Sequence, residues 1–127
     1  AKKLFNSFEK KLDACFEPES FSLDAAKAIL RQYTSIAPNA GSIADMNLTF
    51  AENAVWLTNE FGDFEDEFYD ELTEAGLRVL QYCEEVPDYR FEHEDRIEKL
   101  IRDCGCFGFG VEAELQTAYE KITGYKV

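Results

Sequence analysis

Apolar side chains recur at helical spacing along almost the whole chain. Leu4, Phe8, Leu12 and Phe16 fall four residues apart with Phe5 and Cys15 beside them, which predicts an amphipathic helix over 2–16 that Glu17 and Pro18 end. Ser22 is placed to N-cap a second helix. Asp24 lies in its first turn, where the helix dipole favours a carboxylate, and Leu23, Ala26, Ile29, Leu30, Tyr33 and Ile36 form its stripe. Pro38, Asn39 and Gly41 make a turn. Ser42, with Asp45 three residues on, reads as a capping-box start to a third helix, whose inner face is Ile43, Met46, Phe50, Ala54, Leu57 and Phe61 and which Gly62 closes. Asp63 would cap the longest segment, in which Phe64, Phe68, Leu72, Ala75, Val79 and Tyr82 or Cys83 lead to Val86 and Pro87. A fifth helix over about 88–103 is marked by Phe91, Ile97, Leu100, Ile101 and Cys104, with Gly105 where a left-handed C-cap belongs. Val111, Leu115, Ala118, Tyr119 and Ile122 predict a sixth helix running to Gly124.

No run of alternating polar and apolar residues bounded by hairpin turns interrupts this series. The expected fold is all α: a single helical domain over residues 1–127, an irregular bundle or short array of about six helices in antiparallel hairpins. The segments do not repeat at a fixed period, so a solenoid is not expected. Size supports the reading, since 127 residues bury roughly two thirds of the surface their unfolded chain exposes. Eleven Phe, six Tyr and one Trp supply apolar bulk that a disordered acidic chain lacks.

Charge narrows the function. Thirteen basic residues stand against twenty-six acidic ones, a net charge of −13. Nucleic-acid binding rests on cations that displace counterions from phosphates, and anionic lipid surfaces select for the same excess, so neither partner is expected. No apolar run reaches the length of a membrane span. The stretch from Ala1 to Phe16 is amphipathic and charged, unlike a secretory h-region, which points to the cytosol. Cys15, Cys83, Cys104 and Cys106 are then expected as free thiols, with Cys83 and Cys104 serving as small apolar core residues. The C-x-C of Cys104 and Cys106 falls short of zinc-site spacing, and no metal or cofactor is expected.

Catalytic signatures are missing. There is no nucleophile elbow, phosphate loop or zinc-protease motif, and the sole imidazole, His93, lies in a charged run, Glu92-His93-Glu94-Asp95-Arg96, that reads as exposed surface. The glycines Gly105, Gly108 and Gly110 lack the lysine and the preceding strand of a phosphate loop, so Phe107 and Phe109 read as core plugs. From Glu60 to Glu71 seven carboxylates occupy twelve residues. Counted from Asp63, Glu65, Glu67 and Glu74 match calcium-loop positions, but Phe68 occupies the place that requires glycine, and an EF-hand is rejected. Asp63, Glu65 and Asp66 read instead as a helix start favoured by the dipole.

The candidate site is the polar end of the third helix. Glu52, Trp56 and Asn59 fall at i, i+4 and i+7 and share a face, with Glu60 and Asp63 close behind. Buried there, these groups would need partners. The bland alternative is that Thr58 and Asn59 fix the turn at Gly62 while Glu52 bonds a neighbouring helix end. In that reading Gly62 and Asp63 form a structural joint, to be exposed by Gly62→Val and Asp63→Ala. The expected function is a non-enzymatic protein-interaction module whose partner is another protein. The alternative is a carboxylate-dependent metal or small-molecule enzyme using Glu52, Glu60 and Asp63.

The string Glu52-x(5)-Thr58-Asn59-Glu60-Phe61-Gly62-Asp63, followed by Phe68-Tyr69 and by Gly108-Phe109-Gly110 before an amphipathic helix, resembles an uncharacterised bacterial family, domain-of-unknown-function family 6155. The resemblance covers about residues 24–122 and includes Ala25-Ala26-Lys27-Ala28-Ile29. Phe109 stands where that family usually has Trp. The resemblance implies a small helical cytosolic protein of bacteria. It carries no activity, and suggests only that Glu52, Asn59, Glu60, Gly62 and Asp63 act together.

Overall fold

Six helices form among the described residues, close to where the apolar spacing places them: α1 Lys2–Cys15, α2 Leu23–Ile36, α3 Ala40–Phe61, α4 Tyr69–Glu85, α5 Pro87–Asp103 and α6 Val111–Thr123. The computed structural model describes residues 2–61, 67–107 and 110–127, with the side chains of Cys106 and Phe107 set aside. Among the described residues there is no strand, and no helix is long and apolar enough to cross a membrane. The fold is an all-α bundle. Residues 62–66 between α3 and α4 therefore lie outside the described residues, and with them Gly62, Asp63, Phe64, Glu65 and Asp66; so do Gly108, Phe109 and the side chains of Cys106 and Phe107.

The helix α3 is the axis of the bundle. It packs against α1, α2, α4 and α5, and α6 closes the far side of α4. Its buried positions, Ala44, Met46, Asn47, Leu48, Thr49, Phe50, Ala51, Ala54, Val55, Leu57 and Thr58, run nearly all the way round. That corrects the single inner face expected for it. Ile43 is only half-buried and Phe61 is 46% exposed, because both lie near the ends of α3, where neighbouring helices no longer cover it. One buried cluster draws on all six helices, from Phe8 and Leu12 through Leu30, Phe50, Leu72 and Ile97 to Leu115.

An aromatic wedge holds α1 to the rest. Phe16 meets Phe50 edge to face with centroids 5.4 Å apart, and Phe21 meets Phe68 in the same way at 5.5 Å. Phe68 is fully buried immediately before α4. Since Glu67 and Phe68 are not helical, α4 starts at Tyr69 and does not extend back to Asp63 as the sequence suggests. The apolar series continues through Phe68 because it is a core plug, not because the helix does.

The ends show where local chemistry decides. Ser22 caps α2 as expected, its Oγ accepting from the Ala25 N–H at 3.2 Å. At α3 the cap is Asn39, not Ser42: Asn39 Oδ1 accepts from the Ser42 N–H at 2.8 Å and from its hydroxyl at 3.1 Å, so Ser42 is a donor inside the first turn. Asp45 is correspondingly free of a capping role. Pro87 occupies the first turn of α5, where its missing N–H costs nothing. Gly105 is not a left-handed cap. The chain leaves α5 through the right-handed Cys104 into a short 3-10 turn, Cys104–Phe107, and among the described residues the glycines with positive φ are Gly110 and Gly124. Gly124 ends α6 at φ 83°, its N–H donating to Glu120 O at 2.7 Å.

Candidate functional site

Four of the five expected site residues line one groove. Glu52, Trp56, Asn59 and Glu60 form its α3 wall, and Arg96, Lys99, Leu100 and Asp103 form its α5 wall, around about 230 Å³. Asp63 lies outside the described residues. The i, i+4, i+7 spacing works as read, putting three of these side chains on the face of α3 turned toward the C-terminal half of α5.

The chemistry of the groove is set by pairs across and along its walls. Arg96 grips Glu52 with two bonds, Nη2 to Oε1 at 2.6 Å and Nε to Oε2 at 3.1 Å. This fork-to-fork geometry fixes the spacing of α3 and α5 at that point. The carboxylate of Glu52, with its hydrogen bond first among the causes, raises the guanidinium pKa above its ordinary value. Glu52 thus bonds the middle of α5, not a helix end. On the same wall Lys99 pairs with Asp103 at 2.5 Å, one helical turn apart. Glu60, exposed on the rim, forms no ion pair among the described residues. Val55 and Leu100 line the groove below, both buried.

Trp56 stands at the mouth. It is 47% exposed and meets the equally exposed Phe61 edge to face, centroids 5.7 Å apart. Two large rings at one end of α3 make an apolar centre with charges around it. Asn53 and Thr58, part of the same polar stretch, face elsewhere. Asn53 Nδ2 donates to Asp13 of α1 at 2.8 Å, and the Thr58 hydroxyl is buried without a partner among the described residues.

The other end of the α3–α5 seam holds a cluster that spacing alone does not reveal. The Tyr89 hydroxyl donates to Asp45 Oδ1 at 2.8 Å, and His93 stacks on the Tyr89 ring with centroids 4.1 Å apart and planes 20° from parallel. His93 Nε2 lies 3.4 Å from the same Asp45 oxygen. This corrects the reading of His93 as exposed: its side chain is four-fifths covered, because Tyr89, His93 and Ile97 form one i, i+4 row facing α3. Burial, followed by the Asp45 hydrogen bond and charge, pushes the Tyr89 phenol far above its ordinary range. The arrangement locks a tyrosine in its neutral form and presents no nucleophile.

Cysteine chemistry is subdued. Cys83 and Cys104 are buried and Cys15 is half-buried, none of the three in a disulfide, and Cys15 Sγ donates to Lys11 O at 3.3 Å. Burial raises the Cys83 thiol to about 11, far from a nucleophile's range. Among the described residues no three His, Cys, Asp or Glu side chains gather closely enough to hold a metal ion. No family model, curated protein or solved structure matches this chain.

Proposed function

We propose that this protein is a non-enzymatic interaction module that receives a basic, apolar-tipped segment of a partner protein in the groove between α3 and α5. The observation that carries the reading is the Trp56–Phe61 pair, two nearly half-exposed rings over a groove lined by Val55 and Leu100 and rimmed by charge. An apolar aromatic anchor inside a polar rim is the anatomy of protein interfaces, and Trp is the residue most enriched among their energetic centres. Charge selects the partner. Glu52 and Asp103 are already neutralised by Arg96 and Lys99, which leaves Glu60, among the described residues, as the carboxylate of this lining without an ion pair, on a chain of net charge −13. A lysine or arginine next to an apolar side chain complements both features, and the long-range field would speed its arrival. A metal enzyme using Glu52 fits less well, since ligation would require breaking a bidentate pair with Arg96.

Because Trp56 is the sole tryptophan, its fluorescence reports on this groove alone. A partner recovered by co-purification and then prepared on its own should shift that emission on titration. Trp56→Ala should weaken the complex roughly thirtyfold or more, as loss of a central anchor does. Glu60→Gln should chiefly slow association and flatten its salt dependence. A partner bound equally well by Trp56→Ala overturns the assignment. A thermal shift with divalent cations that Glu52→Gln abolishes would transfer the site to the metal-dependent alternative.

A further inference from the structure

A second hollow lies on the opposite part of α3. Both α2 and α4 pack on α3 but not on each other, so the N-terminal half of α3 floors a trough between them. One ion pair, Lys27 Nζ to Glu71 Oε1 at 3.7 Å, spans the walls near the N-terminal ends of both helices. Beyond it the trough opens to about 430 Å³, nearly twice the α3–α5 groove, bounded by Leu30 and Arg31 of α2, Ile43 and Asn47 of α3 and Arg78 of α4. Its size is that of small-molecule sites.

The lining runs against the composition of the chain. Acids outnumber bases two to one, yet the lining of this hollow carries two guanidinium groups and no carboxylate; Glu71 and Glu74 line the adjoining, smaller hollow nearer the Lys27 end, which shares Leu30, Arg31 and Arg78 with it. Arg31 has no ion pair among the described residues. Arg78 reaches Glu74 of its own helix at 3.6 Å, but both side chains are more than half exposed, so solvent weakens that pair. The hydroxyls on the wall offer no proton: Thr34 donates its own to Leu30 O and Ser35 to Gln32 O, each at 2.8 Å. Asn47 donates Nδ2 to Ile43 O at 2.9 Å, and its buried amide oxygen has no donor among the described residues. The cationic donors of this lining are therefore the two arginines, and Leu30 and Ile43 supply its apolar surface.

We infer that the trough binds a single-chain anionic amphiphile, a carboxylate head held between Arg31 and Arg78 with its hydrocarbon chain along Leu30 and Ile43. Guanidinium forks match a carboxylate in shape and charge, and their aliphatic stems extend the apolar wall. The head alone would gain little against water, and the chain alone would leave both cations unused, so affinity requires the two together.

Calorimetry on the full chain, below micelle-forming concentrations, separates these requirements. Decanoate should bind saturably at one site, acetate should give no heat, and decanol should bind at least tenfold more weakly than decanoate. Arg31→Gln and Arg78→Gln should each weaken decanoate about tenfold with little change in melting temperature, since both side chains are exposed. Trp56→Ala should leave decanoate binding intact, which keeps this site independent of the α3–α5 groove. Equal affinity for decanol, or decanoate binding that survives both arginine substitutions, overturns the proposal. So does an absence of heat from decanoate together with a change in sedimentation of the unliganded Arg31→Gln variant, which would make the trough a contact between acidic copies of this chain.

Discussion

Gly76 offers the sharpest test of how tightly α4 and α6 are joined. It lies in the middle of α4, where glycine costs a helix about 1 kcal/mol relative to alanine. An isolated helix would therefore gain from Gly76→Ala. Here a Cβ on residue 76 would come within 2.7 Å of Leu115 Cδ2 and 3.0 Å of Cδ1. Leu115 is fully buried, so its isobutyl group has nowhere to retreat without moving other core side chains. Overpacking of that kind costs about 1–3 kcal/mol, which offsets the propensity gain and leaves a net destabilisation of about 0–2 kcal/mol. Thermal and urea unfolding of four proteins would decide it: parent, Gly76→Ala, Leu115→Ala and the double variant. Leu115→Ala alone should lose about 2–5 kcal/mol through its cavity. In the double variant the new methyl occupies part of that cavity and recovers its helix propensity, so its loss should be at least about 1 kcal/mol smaller than the sum of the single losses. If Gly76→Ala stabilises by the full propensity difference, and the two substitutions add without coupling, the close approach of α4 and α6 at this point is refuted.

Three further outcomes follow from the same coordinates. Gly110→Ala should lower the melting temperature more than Gly124→Ala: both glycines have positive φ, but a Cβ on residue 110 would run into the Tyr69 hydroxyl, with Cζ only 2.7 Å away, whereas residue 124 has open space. Alkaline titration should erode stability, since folding raises the pKa of the Cys83 thiol, to about 11, and those of the Tyr89 and Tyr119 phenols. These contributions are whole below the ordinary values of 9.0 for the thiol and 10.0 for the phenols, and are lost as pH climbs past them while the unfolded chain ionises first; Tyr89→Phe should flatten the fall in melting temperature above pH 10. Glu52→Gln should cost only about 0.5–1 kcal/mol, a loss that shrinks with added salt, because the pair with Arg96 is well over a third exposed; calorimetric unfolding at two ionic strengths measures it.

The helices were legible because each buries a stripe, and stripes are written in spacing. What escaped depends on which neighbour a helix meets. Phe91 reads as core from its bulk, yet it is 62% exposed, since it lies roughly 200° around α5 from Tyr89, and the row of Tyr89, His93 and Ile97 faces α3 instead. At the start of α3 both Asn39 and Ser42 have capping chemistry, and only the backbone path out of Pro38 settles which side chain accepts. The α3 wall of the groove could be read from one helix's periodicity. Its other wall could not, because Arg96 and Lys99 arrive from a helix more than forty residues later with no local pattern to announce them. The α2–α4 trough was invisible for a related reason: it exists because two helices meet through the Lys27–Glu71 pair without packing on each other, and spacing along a chain records contacts better than gaps.

The central position of α3 also governs how the molecule opens. The peptide groups in its middle are enclosed by four other helices, so their amide hydrogens should meet solvent deuterium chiefly when the bundle comes apart as a whole. The groove and the trough occupy the two halves of this one helix. An occupant of either raises the free energy of that whole-molecule opening by the ordinary mass-action amount. Exchange along the middle of α3 would then slow for either occupant without telling them apart, while the end turns bordering each hollow, at Glu60 for one and at Ile43 for the other, would keep separate records.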